Sequence, residues 1–281
     1  MSKKVYYTIK CPNCGDLCSS SNKQCPNCNY DLPTKSPNNN VFWYVKNLDR
    51  LNFLKLLIWS NVLVYVLSIL PGYFISGLKN NSFLLFPAPN NWVVHILGSA
   101  SKEDIFIEGE YWRFISAVFL HGNMIHILFN MLWLSEIYKY FNIFFKKTWF
   151  PVFFVLTGIA GNLLAILVDG AVIGASGAVF GVIGCVIAQA RKNKSMYGFM
   201  IYTMMAKWAV VLILLGFFMP NVSNGAHVGG LLAGLLLGYI YNPAIHSQQK
   251  YKIPLLGFTA VISFFALYEI LRRFGLMITG V

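Results

Sequence analysis

The chain has 281 residues, of which 57% are hydrophobic and 11% charged, and its formal net charge at pH 7 is +12. With a mean hydropathy of +0.58, it carries more apolar surface than a soluble fold of this size could bury, which excludes an ordinary soluble domain. The positive charge could indicate nucleic-acid binding, but basic loops on one side of a bilayer orient membrane proteins generally. We therefore expect a polytopic protein with the lipid bilayer, and no nucleic acid, as its partner.

The first element is a cysteine-rich module, placed at residues 1–32. Five of the six cysteines lie here, in two Cys-x-x-Cys pairs with one extra thiol, Cys18, between them. Such pairs can arrange four thiolates around a tetrahedral ion. The alternative is two disulfides, which a reducing cytoplasm disfavours, and Cys18 is either a spare thiol or an alternate ligand. The spacing predicts a small zinc ribbon with one structural zinc, held by Cys11, Cys14, Cys25 and Cys28.

Residues 33–50 are predicted to be a linker rich in Pro, Asn and Ser, followed by a juxtamembrane segment in which aromatic rings and cations face the headgroups. The first long apolar run starts only near Phe53, and no signal peptide is evident. We therefore expect a cytoplasmic N-terminus, and a cytoplasmic partner of the ribbon is one use for the module.

Seven apolar segments follow. The core is predicted at 51–242 and a linker with a seventh span at 243–281, while residues 71–111 are too broken by Pro, Gly and Asn to cross and should form a loop in the outer interface. The predicted spans are 53–70, 124–140, 148–167, 176–190, 198–218, 226–241 and 254–271.

Charge supports this topology, because a cytoplasmic N-terminus puts three basic clusters on the inner side. The clusters are Lys139, Lys146 and Lys147, then Arg191, Lys192 and Lys194, then Lys250 and Lys252. Two features disagree with it: Lys207 falls in the middle of the fifth span, and Arg272 and Arg273 would emerge outside if the last segment crosses.

Four polar residues reach one depth in this topology. Ser176 and His227 begin the fourth and sixth spans at the outer side, and His126 and Asn130 lie one helical turn apart near the start of the second. The fourth span is only about 22 Å long against a hydrocarbon core of about 30 Å, so its serine end should lie below the outer surface. A non-helical backbone there, at Gly174, requires adjacent protein or a water-filled cavity.

Small residues should bring two of these spans together, because stripes at helical spacing let membrane helices approach closely. The stripes are Gly177, Gly181, Gly184 and Ala188 on one span, and His227, Gly230, Gly234 and Gly238 on the other. A neutral imidazole could then activate the serine hydroxyl, without a carboxylate in the sixth span, while the Ser176 N–H and the side chains of His126 and Asn130 stabilise the oxyanion.

Each residue alone has a plainer explanation: Ser176 as a helix cap, His227 as a structural hydrogen-bonding group, and His126 and Asn130 as interhelical contacts. A transporter could also contain buried polar groups, but no internal repeat is seen. Their co-location favours catalysis.

The motifs Gly174-Ala-Ser-Gly177, Ala226-His-Val-Gly-Gly230 and His126-Ile-Leu-Phe-Asn130 resemble those of the rhomboid intramembrane serine proteases. Trp112-Arg113 and His121 are also similar to residues of that family, and the resemblance covers about 51–242.

The resemblance implies an all-α, rhomboid-like six-helix core that a substrate enters laterally. It also implies Ser176 as nucleophile, His227 as base, His126 and Asn130 as oxyanion-side donors, and catalysis without a cofactor. Phe180 stands where some members have a tyrosine, so it can support the imidazole but offers no hydroxyl.

The function we expect is an intramembrane serine endopeptidase that cleaves transmembrane segments of membrane proteins. The alternative is a pseudoprotease that binds membrane helices without cutting them. The protein should lie in the cytoplasmic membrane if the chain is bacterial, with its active site toward the outer side.

Overall fold

A computed structural model of the chain describes residues 8–32 (apart from 12, 15, 20 and 21), 52–74, 88–242 (apart from 220) and 249–279. The chain divides into two compact units, Met1–Asn52 and Phe53–Val281. The predicted linker at 33–50 lies outside the described residues, as do 75–87 of the predicted interfacial loop and 243–248 before the last helix.

The first unit contains a short antiparallel hairpin. Strands β1 (Thr8–Lys10) and β2 (Leu17–Ser19) pair in the register Ile9 to Cys18. The cysteines cluster beside this hairpin, where Cys11, Cys18 and Cys25 are buried together with Leu32. The module is therefore compatible with the predicted zinc ribbon.

The second unit is a helical bundle with two very short strands. Its longer helices are α1 (Phe53–Ile69), α5 (Met124–Phe144), α6 (Phe150–Val168), α7 (Ser176–Lys192), α8 (Met196–Gly216), α9 (Asn224–Ile240) and α10 (Gln249–Thr279). The shorter ones are α2 (Pro71–Phe74), α3 (Asn91–Ile96) and α4 (Arg113–Phe119), and the strands are β3 (Ala100–Ser101) and β4 (Ala171–Val172). All seven predicted spans are helical, with ends shifted by a few residues, most at α10.

Side-chain caps explain where several of these helices begin, because the first N–H groups of a helix have no intrahelical acceptor. Asn123 accepts a hydrogen bond from the His126 N–H at the start of α5, at 2.8 Å. Ser195 and Ser223 cap α8 and α9 in the same way. Each cap is a polar residue directly before an apolar helix, so the side-chain hydrogen bond explains where that helix starts.

Helix α7 lies at the centre of the bundle, and every residue from Gly177 to Ala190 is buried. It packs against α5, α6, α8 and α9. At about 1.5 Å per residue its 17 residues extend roughly 25 Å, less than the hydrocarbon core of about 30 Å. The central helix is thus short, as expected from the sequence.

Helices α7 and α9 touch backbone to backbone along the predicted glycine stripes. A Cβ atom added at Gly230 would overlap the carbonyl oxygen of Gly177, and one at Gly234 would overlap that of Gly181. At Gly238 an added Cβ would lie 2.6 Å from the Cys185 carbonyl oxygen. Side chains at these positions would force the two helices apart.

By length and hydropathy, Lys147–Val168 and Met196–Gly216 qualify as membrane spans among the described residues. A third candidate is the pair α4 and α5, which together pass the test and meet at a 94° bend. Helices α1 and α9 are apolar but shorter. These helices identify an integral membrane protein.

The segment between α2 and α4 has structure that the sequence analysis did not predict. Besides α3 it contains a π-helical turn at Glu103–Ile107 and the strand β3. Strand β3 pairs antiparallel with β4, Ala100 opposite Val172 and Ser101 opposite Ala171. A segment predicted as an interfacial loop is therefore hydrogen-bonded to the chain just before α7.

Candidate active site

Ser176 is the first residue of α7, and the backbone before it turns sharply. Gly174 has φ +118°, a conformation that residues with a side chain rarely adopt, and its N–H donates to the Ala117 carbonyl at 2.8 Å. Strand β4 ends two residues earlier, at Val172. The serine is thus delivered by a strand, a left-handed glycine and a helix start.

His126 and Asn130 of α5 face this turn. A Cβ atom on Gly174 would lie 2.7 Å from both Cε1 and Nε2 of His126 and 3.8 Å from Nδ2 of Asn130. Glycine therefore serves a second purpose at position 174, since any side chain would occupy the space between the turn and the two polar groups.

His227 lies on α9 in the first turn and packs on α7. Its ring stacks on Phe180 with the centroids 4.2 Å apart and the planes at 17°. Phe180 is one helical turn beyond Ser176, and Gly177 lies against Ala226, with its added Cβ 3.2 Å from the Ala226 carbonyl oxygen. The residues next to Ser176 and next to His227 are thus in contact.

Three nitrogen atoms of this region are buried without a hydrogen-bond partner in the described part of the chain: Asn130 Nδ2, His121 Nε2 and His227 Nδ1. The His121 ring meets that of His126 edge-on, with centroids 5.0 Å apart. Buried polar groups are normally hydrogen-bonded, and unpartnered ones call for an explanation such as a catalytic role or bound water.

No hydrogen bond between Ser176 and His227 is recorded among the described residues. Catalytic hydrogen bonds are often long before substrate binds and tighten in the complex, so this does not remove the pair from consideration. The first N–H groups of α7 also have no intrahelical acceptor and stand at the positive end of the helix dipole. The arrangement offers a hydroxyl, an imidazole and several donors for an anion.

Asp169, at the end of α6, is a residue that the sequence analysis left without a role. Its carboxylate accepts hydrogen bonds from the Ser223 hydroxyl and, at 3.1 Å, from the Gly225 N–H. Ser223 is the cap of α9 and Gly225 lies in its first turn, the turn that also contains His227. In the sequence, Asp169 is visible only as an acidic residue in a connection that the topology predicts to lie outside, and Ser223 lies 54 positions further along the chain.

Gln189 fixes the other end of α9. Its side-chain nitrogen donates to the carbonyl oxygens of Gly238 and Tyr241, at 2.7 and 2.8 Å. These carbonyls belong to the last turn of α9, where intrahelical donors run out. Helix α9 is therefore held by α6 at its start and by α7 at its end.

A second cluster lies in the first unit, where four sulfur atoms are all within 4.8 Å of one another and could hold a metal ion. The Sγ atoms of Cys11 and Cys28 are 3.6 Å apart and those of Cys14 and Cys25 are 3.5 Å apart. Tetrahedral zinc with Zn–S bonds of about 2.3 Å separates its sulfurs by about 3.8 Å, so the cluster fits that ion.

The next question is whether the cysteines form disulfides and where Cys18 lies. All six are free, so the disulfide alternative has no support here. Cys18 is buried, and its Sγ lies 3.5 Å from that of Cys25. It is not among the four sulfurs that lie within 4.8 Å of one another, but it lies next to them.

The chain is similar to known proteins over the region that contains the candidate site. Residues 108–244 match the model of the Rhomboid domain. This part of the chain therefore resembles a rhomboid domain. The matched range contains Ser176, His227, His126 and Asn130, and the helical bundle is compatible with a polytopic rhomboid fold.

Several rhomboid proteins are similar to this chain. RHOMBOID-like protein 5 of Arabidopsis thaliana is 34% identical over 168 residues, 58% of this chain and 53% of that protein. Rhomboid-like protease 3 of Toxoplasma gondii is 29% identical over 209 residues, 70% and 73% of the two chains. Rhomboid protease GluP of Bacillus subtilis is 28% identical over 136 residues, 48% and 27%. The chain spans about half the length of the Arabidopsis relatives it matches.

Proposed function

We propose that the rhomboid domain of this chain is an intramembrane serine endopeptidase that cleaves transmembrane segments of membrane proteins. The observation that carries the proposal is the stack of His227 on Phe180, 4.2 Å between centroids, one helical turn from Ser176. The stack holds the His227 imidazole against α7, the helix that begins with Ser176, in a protein of mainly apolar helices. Two of the similar proteins are named as rhomboid or rhomboid-like proteases, which supports the proposal.

In the proposed reaction the Ser176 hydroxyl attacks the carbonyl carbon of the scissile peptide bond, and His227 takes the hydroxyl proton. The tetrahedral oxyanion accepts hydrogen bonds from the Ser176 N–H, His126 and the unpartnered Asn130 Nδ2. His227 then gives its proton to the leaving amine. Water hydrolyses the acyl-enzyme with His227 as base again, so the cycle needs no metal or cofactor.

Fluorophosphonate labelling of the full chain in liposomes tests this proposal without knowledge of the substrate. We expect an adduct at Ser176, located by mass spectrometry, that is absent in Ser176→Ala and strongly reduced in His227→Ala. Ser195→Ala is the matched control, because Ser195 also lies at a helix start but caps α8, a different helix from the one that begins with Ser176.

Cleavage of a reporter with one transmembrane segment, containing Gly and Ala near its outer end, completes the test. Wild-type protein that neither reacts at Ser176 nor cuts the reporter, while still binding it, would overturn the protease proposal in favour of the non-cleaving alternative.

We also propose that Cys11, Cys14, Cys25 and Cys28 bind one structural zinc ion, because all four positions of the tetrahedron are filled by sulfur. Metal analysis of the full chain should give about one zinc per chain. Cys14→Ser should lower that content, and Cys18→Ser should leave it unchanged. Equal loss in both variants would mean that the ligand set is wrong.

The proposed topology has a cytoplasmic N-terminus, an active site toward the outer side and a crossing by α10. It is supported by the inner basic clusters and by Arg273 of α10, which reaches Glu110 in the segment predicted to lie outside. A reporter fused after Val281 should be detected outside, and a cytoplasmic signal would exclude the seventh crossing.

A further inference from the structure

The segment of residues 88–112 joins the C-terminal helix to the chain that carries Ser176. Arg113, the buried first residue of α4, holds this segment by donating hydrogen bonds to the carbonyl oxygens of His95 and Ser99, at 2.7 and 2.8 Å. Arg113 also pairs with Glu110 and lies 3.5 Å from the Asp104 carboxylate. These contacts fold the 88–112 segment against α4.

Helix α10 contacts this segment through Arg273. The Arg273 guanidinium pairs with Oε1 of Glu110, whose Oε2 is taken by Arg113. The same guanidinium lies 5.0 Å from the centroid of the Trp112 ring, and that of Arg113 lies 5.1 Å from it. One carboxylate and one indole are thus shared by an arginine of the bundle and an arginine of α10.

Apolar contacts run beside the ionic ones. One buried cluster contains Ile270 of α10 and Val93, Val94 and Leu97 of the 88–112 segment, with Phe274, Met277 and Trp112 packed against it. Ile173, three residues before Ser176, packs against the same cluster. Helix α10 therefore belongs to the surroundings of the strand that leads to the nucleophile.

The connection is completed by hydrogen bonds between strands. Ala100 and Ser101, in the 88–112 segment, pair with Val172 and Ala171 of β4. Gly174 and Ser176 follow β4 after a few residues, so a shift of β3 is transmitted to the turn that faces His126.

We infer that α10 is a positioning element for the nucleophile, and that Arg273 is a positioning residue that acts through Glu110, Trp112 and the β3–β4 pair on the Ser176 turn. The catalytic consequence rests on the proposed protease function. The coupling of Arg273 to the β3–β4 pair does not, because it is a property of packing. A helix that served only as a membrane anchor would not need the contacts of Arg273 with Glu110 and Trp112.

Arg272 provides a matched control, because it is the neighbouring arginine on the same helix. It pairs with Glu269 of α10 itself, with Nη2 2.8 Å from the carboxylate, and its side chain is more exposed than that of Arg273. Loss of either side chain removes one cation from the same turn. Only loss of Arg273 removes the contact with the 88–112 segment.

The experiment compares the wild type with Arg273→Ala, Arg273→Lys and Arg272→Ala, as full chains in liposomes. Amide hydrogen exchange is measured by mass spectrometry over 98–112 and 170–176, and the rate of Ser176 phosphonylation is measured on the same samples. Arg273→Ala should speed exchange in both peptides and slow phosphonylation about 10-fold, since small misplacements of reacting groups are costly.

Arg273→Lys should recover part of the phosphonylation rate, because an ammonium can still pair with Glu110 but lacks the planar fork. Arg272→Ala should stay within about twofold of the wild type, as for surface substitutions generally. Equal effects of Arg272→Ala and Arg273→Ala, or unchanged exchange over 170–176 in folded Arg273→Ala or Arg273→Lys, would overturn the inference.

The two proposals fail in different ways. If wild-type Ser176 does not react, the protease proposal fails, and hydrogen exchange alone still decides whether Arg273 is coupled to β4. If Ser176 reacts normally and exchange is insensitive to Arg273, the positioning inference fails while the protease proposal stands.

Discussion

The site depends on two regions that are built in opposite ways. Between α7 and α9 the contact is made by the absence of side chains, with Gly230 against Gly177 and Gly234 against Gly181. Around the 88–112 segment it is made by long polar side chains, with Arg113 and Arg273 sharing Glu110. Close packing fixes the distance between two helices, whereas the arginines hold together a segment that is built of short elements.

The two regions should therefore respond to different substitutions. The largest loss of stability is expected at the arginines that hold the 88–112 segment. Arg113→Ala leaves Glu110, Asp104 and two carbonyl oxygens with fewer donors in a buried place, which should cost roughly 3–5 kcal/mol of stability. Thermal unfolding in detergent measures this, with Arg272→Ala as the control. A melting temperature that is the same in both variants would contradict the importance of the buried network.

The glycine contact should be the next most sensitive. Gly234→Ala forces a methyl group into the Gly181 carbonyl and should cost about 3 kcal/mol, since overpacked cores do not relax freely. Gly257→Ala is the matched control, because α10 leaves open space there, and alanine favours a helix. If both variants melt alike, α7 and α9 are not in contact through their backbones.

At the turn before Ser176, the proposed nucleophile, we expect a lower rate of phosphonylation. Gly174→Ala should slow Ser176 phosphonylation on the order of 10²-fold, because the methyl group displaces His126 and strains the backbone. Gly170→Ala separates the two causes: Gly170 also has positive φ, +91°, but no atom lies within 4 Å of its added Cβ. Equal slowing in both variants would assign the effect to strain alone.

The smallest effect is expected at the start of α9. Asp169→Asn and Ser223→Ala each weaken the anchor of the His227 turn, by about 1 kcal/mol for the cap. Because the two side chains share one hydrogen bond, the double variant should be less impaired than the sum of the single ones. Phosphonylation rates of the four proteins measure this coupling, and strict additivity would show that the anchor is not shared.

The difference between the regions also explains what could be predicted from sequence. The glycine stripes and the helices follow from helical spacing, which is local, whereas the common depth of His126, Ser176 and His227 was predicted from the topology. The β3–β4 pair, Asp169 with Ser223, and Arg273 with Glu110 join residues 54 to 163 positions apart. No periodicity marks such pairs, so the sequence offered candidate residues for the site but not the contacts around them.

The anchoring of α9 at both ends has a consequence for how the bundle opens. Asp169 ties its first turn to α6 and Gln189 ties its last turn to α7, so these three helices should unfold as one cooperative unit. Helix α8 buries few of its residues and should open earlier, at lower free energy. We therefore expect Ser176 and His227, the proposed nucleophile and base, to lie in the part of the bundle that unfolds last, whereas α8 opens first.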